Sequence, residues 1–79
     1  MRLDKFLKVS RLIKRRTVAN EACDAGRVTV NGVVAKAGLD VKPGDRIEIR
    51  FGSNNSKFEI LSVSEQMKKE DAQTMYKNL

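Results

Sequence analysis

The chain has 79 residues, 41% hydrophobic and 33% charged, with 16 basic and 10 acidic side chains that leave a net charge of +6. This length and composition fit one small globular domain, burying only about 60% of its unfolded surface, and exclude a disordered chain. A single cysteine, no histidine and no apolar run near the roughly 20 residues of a membrane span exclude an internal disulfide, the commonest general base and metal ligand, and a transmembrane helix.

The first predicted element carries the charge. Arg2 to Arg16 holds seven basic residues (Arg2, Lys5, Lys8, Arg11, Lys14, Arg15 and Arg16) against Asp4, while residues 17–79 carry nine of each sign. A neutral body with a cationic front edge suits an anionic partner. The spacing predicts a helix over Leu3–Leu12. Leu3, Phe6, Leu7 and Ser10 share one face, bordered by Val9 and Ile13, and Lys5, Lys8, Arg11 and Arg15 project from the other. Solvation alone does not explain six uncompensated charges. A basic amphipathic helix can also lie on anionic lipid, but this apolar face is small and the core needs it. A polyanion is the better partner. Asp4 has two readings: it stabilises the helix N-terminus or orients Arg side chains, or it accepts a hydrogen bond from a base or 2′-OH. Lys8 and Arg11 interrupt the apolar run of a signal peptide, and an unpaired cysteine suits a reducing compartment, so a cytoplasmic protein is expected.

A break near Ile13 and Lys14 is expected, because an ideal continuation would carry Lys14 onto the apolar face. A second helix then covers Arg15 to Ala25, with Val18, Ala19, Ala22 and Cys23 as its apolar stripe and Gly26 as its stop. Thr17 is the only conventional N-cap, so the start could lie there instead. Arg15 and Arg16 in the first turn oppose the helix dipole by a few tenths of a kcal/mol each, which makes sense if a phosphate binds there. Cys23, among small apolar neighbours, reads as a core residue rather than a catalytic thiol. The five glycines are scattered turn residues and form no phosphate loop.

Arg27-Val-Thr-Val-Asn-Gly-Val-Val-Ala-Lys36 is a hairpin signal, with Asn31-Gly32 as a type I′ turn. A two-residue loop sets Val30 opposite Val33, Thr29 opposite Val34, Val28 opposite Ala35 and Arg27 opposite Lys36. One face is apolar and should pack on the helices; the other sets two cations side by side. Pro43-Gly44-Asp45 makes a turn. Arg46 to Phe51 alternates as a strand with Ile47, Ile49 and Phe51 inward. A polar loop at 52–56, a strand from Lys57 to Val63 and a weakly amphipathic helix from Glu65 to Tyr76, capped by Ser64, complete the chain. Met67, Met75 and Leu79 would form the last helix's thin apolar line, docking loosely.

Arg2-Leu-Asp-Lys-Phe-Leu7, Arg15-Arg-Thr-Val-Ala19, Gly26-Arg-Val-Thr-Val-Asn-Gly32 and Val41-Lys-Pro-Gly-Asp45, in this order, resemble the RNA-binding domain named after ribosomal protein S4. The resemblance implies an α+β fold of two N-terminal helices packed on a small, mostly antiparallel sheet, plus a C-terminal helix. Residues 1–64 would form the S4-type domain and residues 65–79 a helical extension of it. Within the family, the N-terminal run and Ala72-Gln-Thr-Met-Tyr76 look like the short bacterial ribosome-associated quality-control factors, with the heat-shock ribosome-associated proteins second. That implies binding to obstructed large ribosomal subunits carrying peptidyl-tRNA. Contacts to large-subunit ribosomal RNA and tRNA would support a partner that adds C-terminal alanine tails to the nascent chain. The heat-shock alternative implies recycling of large subunits.

The expected mechanism is a non-catalytic RNA clamp, monomeric off the ribosome and needing no cofactor or metal. Arg2, Asp4, Lys5, Lys8, Arg11, Lys14, Arg15, Arg16 and Thr17 would line its main surface, and Arg27, Asn31 and Lys36 would extend the edge. Arg2 and Arg16 rank first, because guanidinium suits bidentate phosphate contact and both fall on the family's basic positions. With Phe6, Phe51 and Phe58 assigned to the core, recognition by shape and backbone is expected over stacking. The domain type also occurs as the RNA-targeting module of RNA-modifying enzymes; the lack of catalytic apparatus here argues against that reading.

Overall fold

Three fully buried side chains, Leu3, Phe6 and Leu7, set the first helix, α1 (Leu3–Val9), against the rest of the protein in this computed structural model, which describes residues 1–64 and 69–79. α1 ends earlier than periodicity predicts. Arg11 enters the left-handed region at φ 63°, its N–H donates to the Lys8 carbonyl, and the Ile13 N–H donates to the Leu7 carbonyl. These bonds satisfy the helix's last carbonyls, as in a Schellman-type ending, and turn buried Ile13 back into the core. α2 (Arg16–Asp24) follows, burying Ala19, Ala22 and Cys23. Gly26, at φ 74°, lets the chain reverse after it. Burial, with the charges of Asp4 and Asp24 adding to it, pushes the Cys23 thiol up to about 11, so it stays protonated at neutral pH.

The remaining elements form one antiparallel sheet of β1 (Val28–Val30), β2 (Val33–Val34), β3 (Arg46–Phe51), β4 (Asn54–Ile60) and β5 (Tyr76–Asn78), in the order β2-β1-β3-β4-β5. The hairpin register is the predicted one, Val30 opposite Val33 and Thr29 opposite Val34, with Asn31 and Gly32 both at positive φ. Beyond these pairs, the Ala35 N–H donates to the Val28 carbonyl at 3.0 Å, as the predicted Val28–Ala35 pair requires, and on the other edge of β1 the Arg27 carbonyl accepts from the Arg50 N–H. Val28, Val30 and Ala35 enter the core as expected, but Val33 is 69% exposed because β2 is the sheet's outer edge. β3 has its predicted bounds and buries Ile47 and Ile49, whereas Phe51 remains 44% exposed.

The second half departs further from expectation. β4 begins at Asn54 after a two-residue turn, so most of the predicted 52–56 loop is strand. Asn54, Asn55 and Ser56 are exposed and join the sheet by backbone, whereas the Lys57 and half-buried Glu59 side chains also pair with Glu48, Arg46 and Lys77. The strand ends at Ile60 rather than Val63, and the N–H groups of Leu61 and Ser62 both donate to the Met75 carbonyl. The predicted C-terminal helix is not present in the described residues: Lys69–Met75 is a 3₁₀ segment and Tyr76–Asn78 is β5, paired with β4. Glu65 to Lys68, including Met67, lie outside the described residues. Ala72 and Met75, three apart, meet the three-residue period of a 3₁₀ helix and are both buried, so this segment is docked firmly. Tyr76 packs edge-on against Phe58 at a centroid distance of 5.3 Å.

A carboxylate-anchored arginine pair as candidate nucleic-acid interface

The site is built on the start of α1. No side chain caps this helix; instead, the Leu3 and Asp4 N–H groups donate to the carbonyls of Leu39 and Ala37. Arg2 forms a β-bridge with Asp40, the Val41 N–H donates to the Met1 carbonyl, and the N-terminal ammonium meets Asp40 Oδ1 at 2.8 Å. The loop 37–41 thus holds the first four residues. Gly38 lies under the Arg2 guanidinium, at 3.7 Å from where a Cβ would stand.

Asp4 is only 2% exposed, and both its oxygens are used. Oδ1 accepts from the Lys5 N–H at 2.8 Å, Arg2 Nε at 3.3 Å and Arg16 Nη2 at 3.4 Å. Oδ2 accepts from Arg16 Nε at 3.2 Å, Arg2 Nη2 at 3.5 Å and Asn20 Nδ2 at 3.5 Å. Burial alone would raise the Asp4 pKa. The Arg16 and Lys5 hydrogen bonds and the charges of Arg16 and Arg2 outweigh it, holding the carboxyl below its ordinary value. Two guanidiniums from separate helices are therefore fixed on one buried anion, while their side chains stay 54% and 46% exposed. This favours the orienting reading of Asp4, because no lone pair faces outward for a base.

The other cations divide between two surfaces. On the sheet, Arg46 and Lys77 pair with Glu59, and Arg50 and Lys57 with Glu48, at 3.6–3.9 Å. Along α1, the turn and the start of α2, Lys8, Arg11, Lys14 and Arg15 are exposed and have no ion pair among the described residues. Lys5 is half-buried beside them, and Thr17 lines a depression with Asp4, Arg16, Asn20 and Glu21. α2 begins at Arg16, with Arg15 at the cap position and no side-chain cap, so its first N–H groups are open. Of the predicted main surface, Arg2, Lys5, Arg16 and Thr17 thus come together around Asp4.

The predicted edge residues do not. Arg27 sits at the far end of α2, beside Val18 and Phe51. Lys36 lines an apolar groove with Val33, Val34 and Leu39. Asn31, although exposed, bonds to the protein itself: Nδ2 donates to Asp45 Oδ1 at 3.2 Å, and Oδ1 accepts from the Arg46 N–H at 3.0 Å, which pins the hairpin to β3.

A family model of the S4 domain matches residues 1–47, more than half of the chain. The chain belongs to the S4 domain family. It is 63% identical over 76 residues to the RQC P-site tRNA stabilizing factor of Halalkalibacterium halodurans, covering 96% of this chain and 86% of that one. It is 55% identical to the factor of the same name from Bacillus subtilis, over 96% of this chain and 88% of the other. The structure of Vibrio cholerae heat shock protein 15 superposes on all of this chain and 81% of its own, with a TM-score of 0.91 at 32% identity.

In this S4 domain, sequence reasoning missed Asn20 and the loop 37–41. Asn20 lies four residues after Arg16, hence on the same side of α2, and that spacing was the available signal. The loop offered none, because it acts through its backbone.

Proposed function

We infer that the chain is a non-catalytic, cytoplasmic RNA-binding factor of ribosome-associated quality control. It binds obstructed large ribosomal subunits, contacts large-subunit ribosomal RNA and the P-site peptidyl-tRNA, and supports C-terminal alanine tailing by a partner factor. The observation that carries this reading is the Arg2–Asp4–Arg16 anchor beside Lys8, Arg11, Lys14 and Arg15, which have no ion pair among the described residues. A guanidinium held on one edge by a carboxylate keeps its remaining N–H groups aimed outward, suited to phosphate oxygens at fixed spacing. Similarity to factors named for stabilising P-site tRNA supports the tRNA and the subunit as partners, and it exceeds the similarity to heat shock protein 15.

The test is sedimentation of tagged protein from lysate through a sucrose gradient beside an Arg2→Ala/Arg16→Ala double variant. Wild type should travel with large subunits rather than whole ribosomes, and a folded double variant should stay at the top. Wild type remaining at the top at low salt, with stalled subunits enriched, overturns the ribosomal assignment.

A further inference from the structure

The chain has four aromatic residues. Phe6 is fully buried, and Phe58 and Tyr76 pack on each other against the core. Phe51 continues the inward face of β3 after Ile47 and Ile49, yet it is 44% exposed, and so is Val18 of α2 at 42%. Both line a shallow depression of about 230 Å³ with Glu21, Ala22, Ala25 and Arg27. Arg27 is held there by its backbone, with its N–H on the Ala22 carbonyl and its carbonyl on the Arg50 N–H. Its guanidinium has no partner among the described residues, unlike Arg50, which meets Glu48 at 3.6 Å.

A single exposed apolar side chain is ordinary. Here an open aromatic ring, an unpaired guanidinium and a carboxylate acceptor converge on one hollow. That hollow also continues the cationic surface, because Arg15, Val18, Ala22 and Ala25 follow one another along one side of α2. The ring offers a stacking face for a base, Arg27 a phosphate contact, and Glu21 an acceptor for the exocyclic amine of adenine or cytosine. A second copy of the chain is a poor occupant: a stable interface buries about 800 Å² per partner, far more than this hollow presents. We propose that Phe51 and Arg27 form a second RNA contact that stacks one unpaired base beside the RNA backbone held at Arg2 and Arg16. The proposal rests on the RNA-binding reading above.

The experiment compares two labelled RNA hairpins by fluorescence anisotropy, one blunt and one ending in a three-adenine 3′ overhang. Wild-type protein should prefer the overhang by roughly 5- to 100-fold, the range for one stacked base. The part of the preference that Phe51 supplies should persist as salt rises, because stacking is not ionic, while the part from Arg27 should fade. Phe51→Leu keeps the apolar packing and should bind both hairpins with the wild-type affinity for the blunt one; Arg27→Gln should lose part of the preference. Equal binding of both hairpins by wild type, or an undiminished preference in Phe51→Leu, overturns the stacking contact and leaves the RNA reading intact. Failure to bind either hairpin overturns both. Self-association of wild type in sedimentation equilibrium that Phe51→Leu abolishes overturns the proposal in favour of a contact between copies.

Discussion

At Asp4, burial and pairing act in opposite directions, and the pairing is stronger. A carboxyl whose folded pKa lies below its unfolded one stabilises the fold above the ordinary carboxylate range and loses that contribution as pH falls through the folded value. Asp4→Asn should therefore cost about 1–2 kcal/mol at pH 7 in urea melts, and the gap to wild type should close in acid. The same variant separates positioning from bulk charge. It raises the net charge by one, so electrostatics alone predicts tighter RNA binding, whereas loss of the anchor predicts several-fold weaker binding. Tighter binding by Asp4→Asn would remove the anchor from the mechanism.

Arg11 presents the converse case, a non-glycine residue at φ 63° in the turn after α1. Glycine adopts this conformation at no steric cost, so Arg11→Gly should stabilise the protein by about 1 kcal/mol. Arg11 also stands among the unpaired cations, so the same substitution should weaken RNA binding. Opposite signs in a thermal melt and an RNA titration are the expected result. Gains in both would show that the strain serves nothing at the RNA surface.

At the scale of elements, the hairpin was legible because Asn31 and Gly32 accept the positive φ that a type I′ turn requires, and a two-residue turn leaves one register. The start of β4 was hidden because Asn54, Asn55 and Ser56 join the sheet through their backbone, which polar side chains do not advertise. The C-terminal segment was misread for another reason. Ala72, Met75 and Tyr76 fit a helical stripe, but the first two serve a 3₁₀ turn and the third a strand. Met75 is fully buried and its carbonyl receives the chain leaving β4. Met75→Ala should therefore cost about 2–5 kcal/mol, enough to unfold much of so small a domain at 37 °C, as circular dichroism would report.

Across the whole molecule, charge follows architecture. On the sheet, Glu48 and Glu59 each pair with two cations, and on the helices Lys8, Arg11, Lys14 and Arg15 have no ion pair among the described residues. If four to six phosphates are neutralised, the logarithm of RNA affinity should fall against that of salt with a slope of roughly −3 to −5. A flat dependence would contradict a phosphate-led interface. The excess charge was plain in the sequence because it is confined to the first fifth of the chain. The orienting role of Asp4 was one of its two readings, but its partners were not legible, because Asp4 and Arg16 meet only after α1 and α2 have packed.

The pairing of residues 1–4 with 37–41 gives the protein two kinds of RNA affinity that arise at different times. Every excess positive charge is present once sixteen residues have been made, whereas the geometry of Arg2 waits for a loop nearly forty residues away. Adhesion to RNA thus precedes discrimination between RNAs. If these cations are the RNA contacts, an unfolded or half-synthesised chain should still bind, with much the same sensitivity to salt, and retention on RNA is then no proof of nativeness. Only the ratio between right and wrong targets reports that the fold has closed.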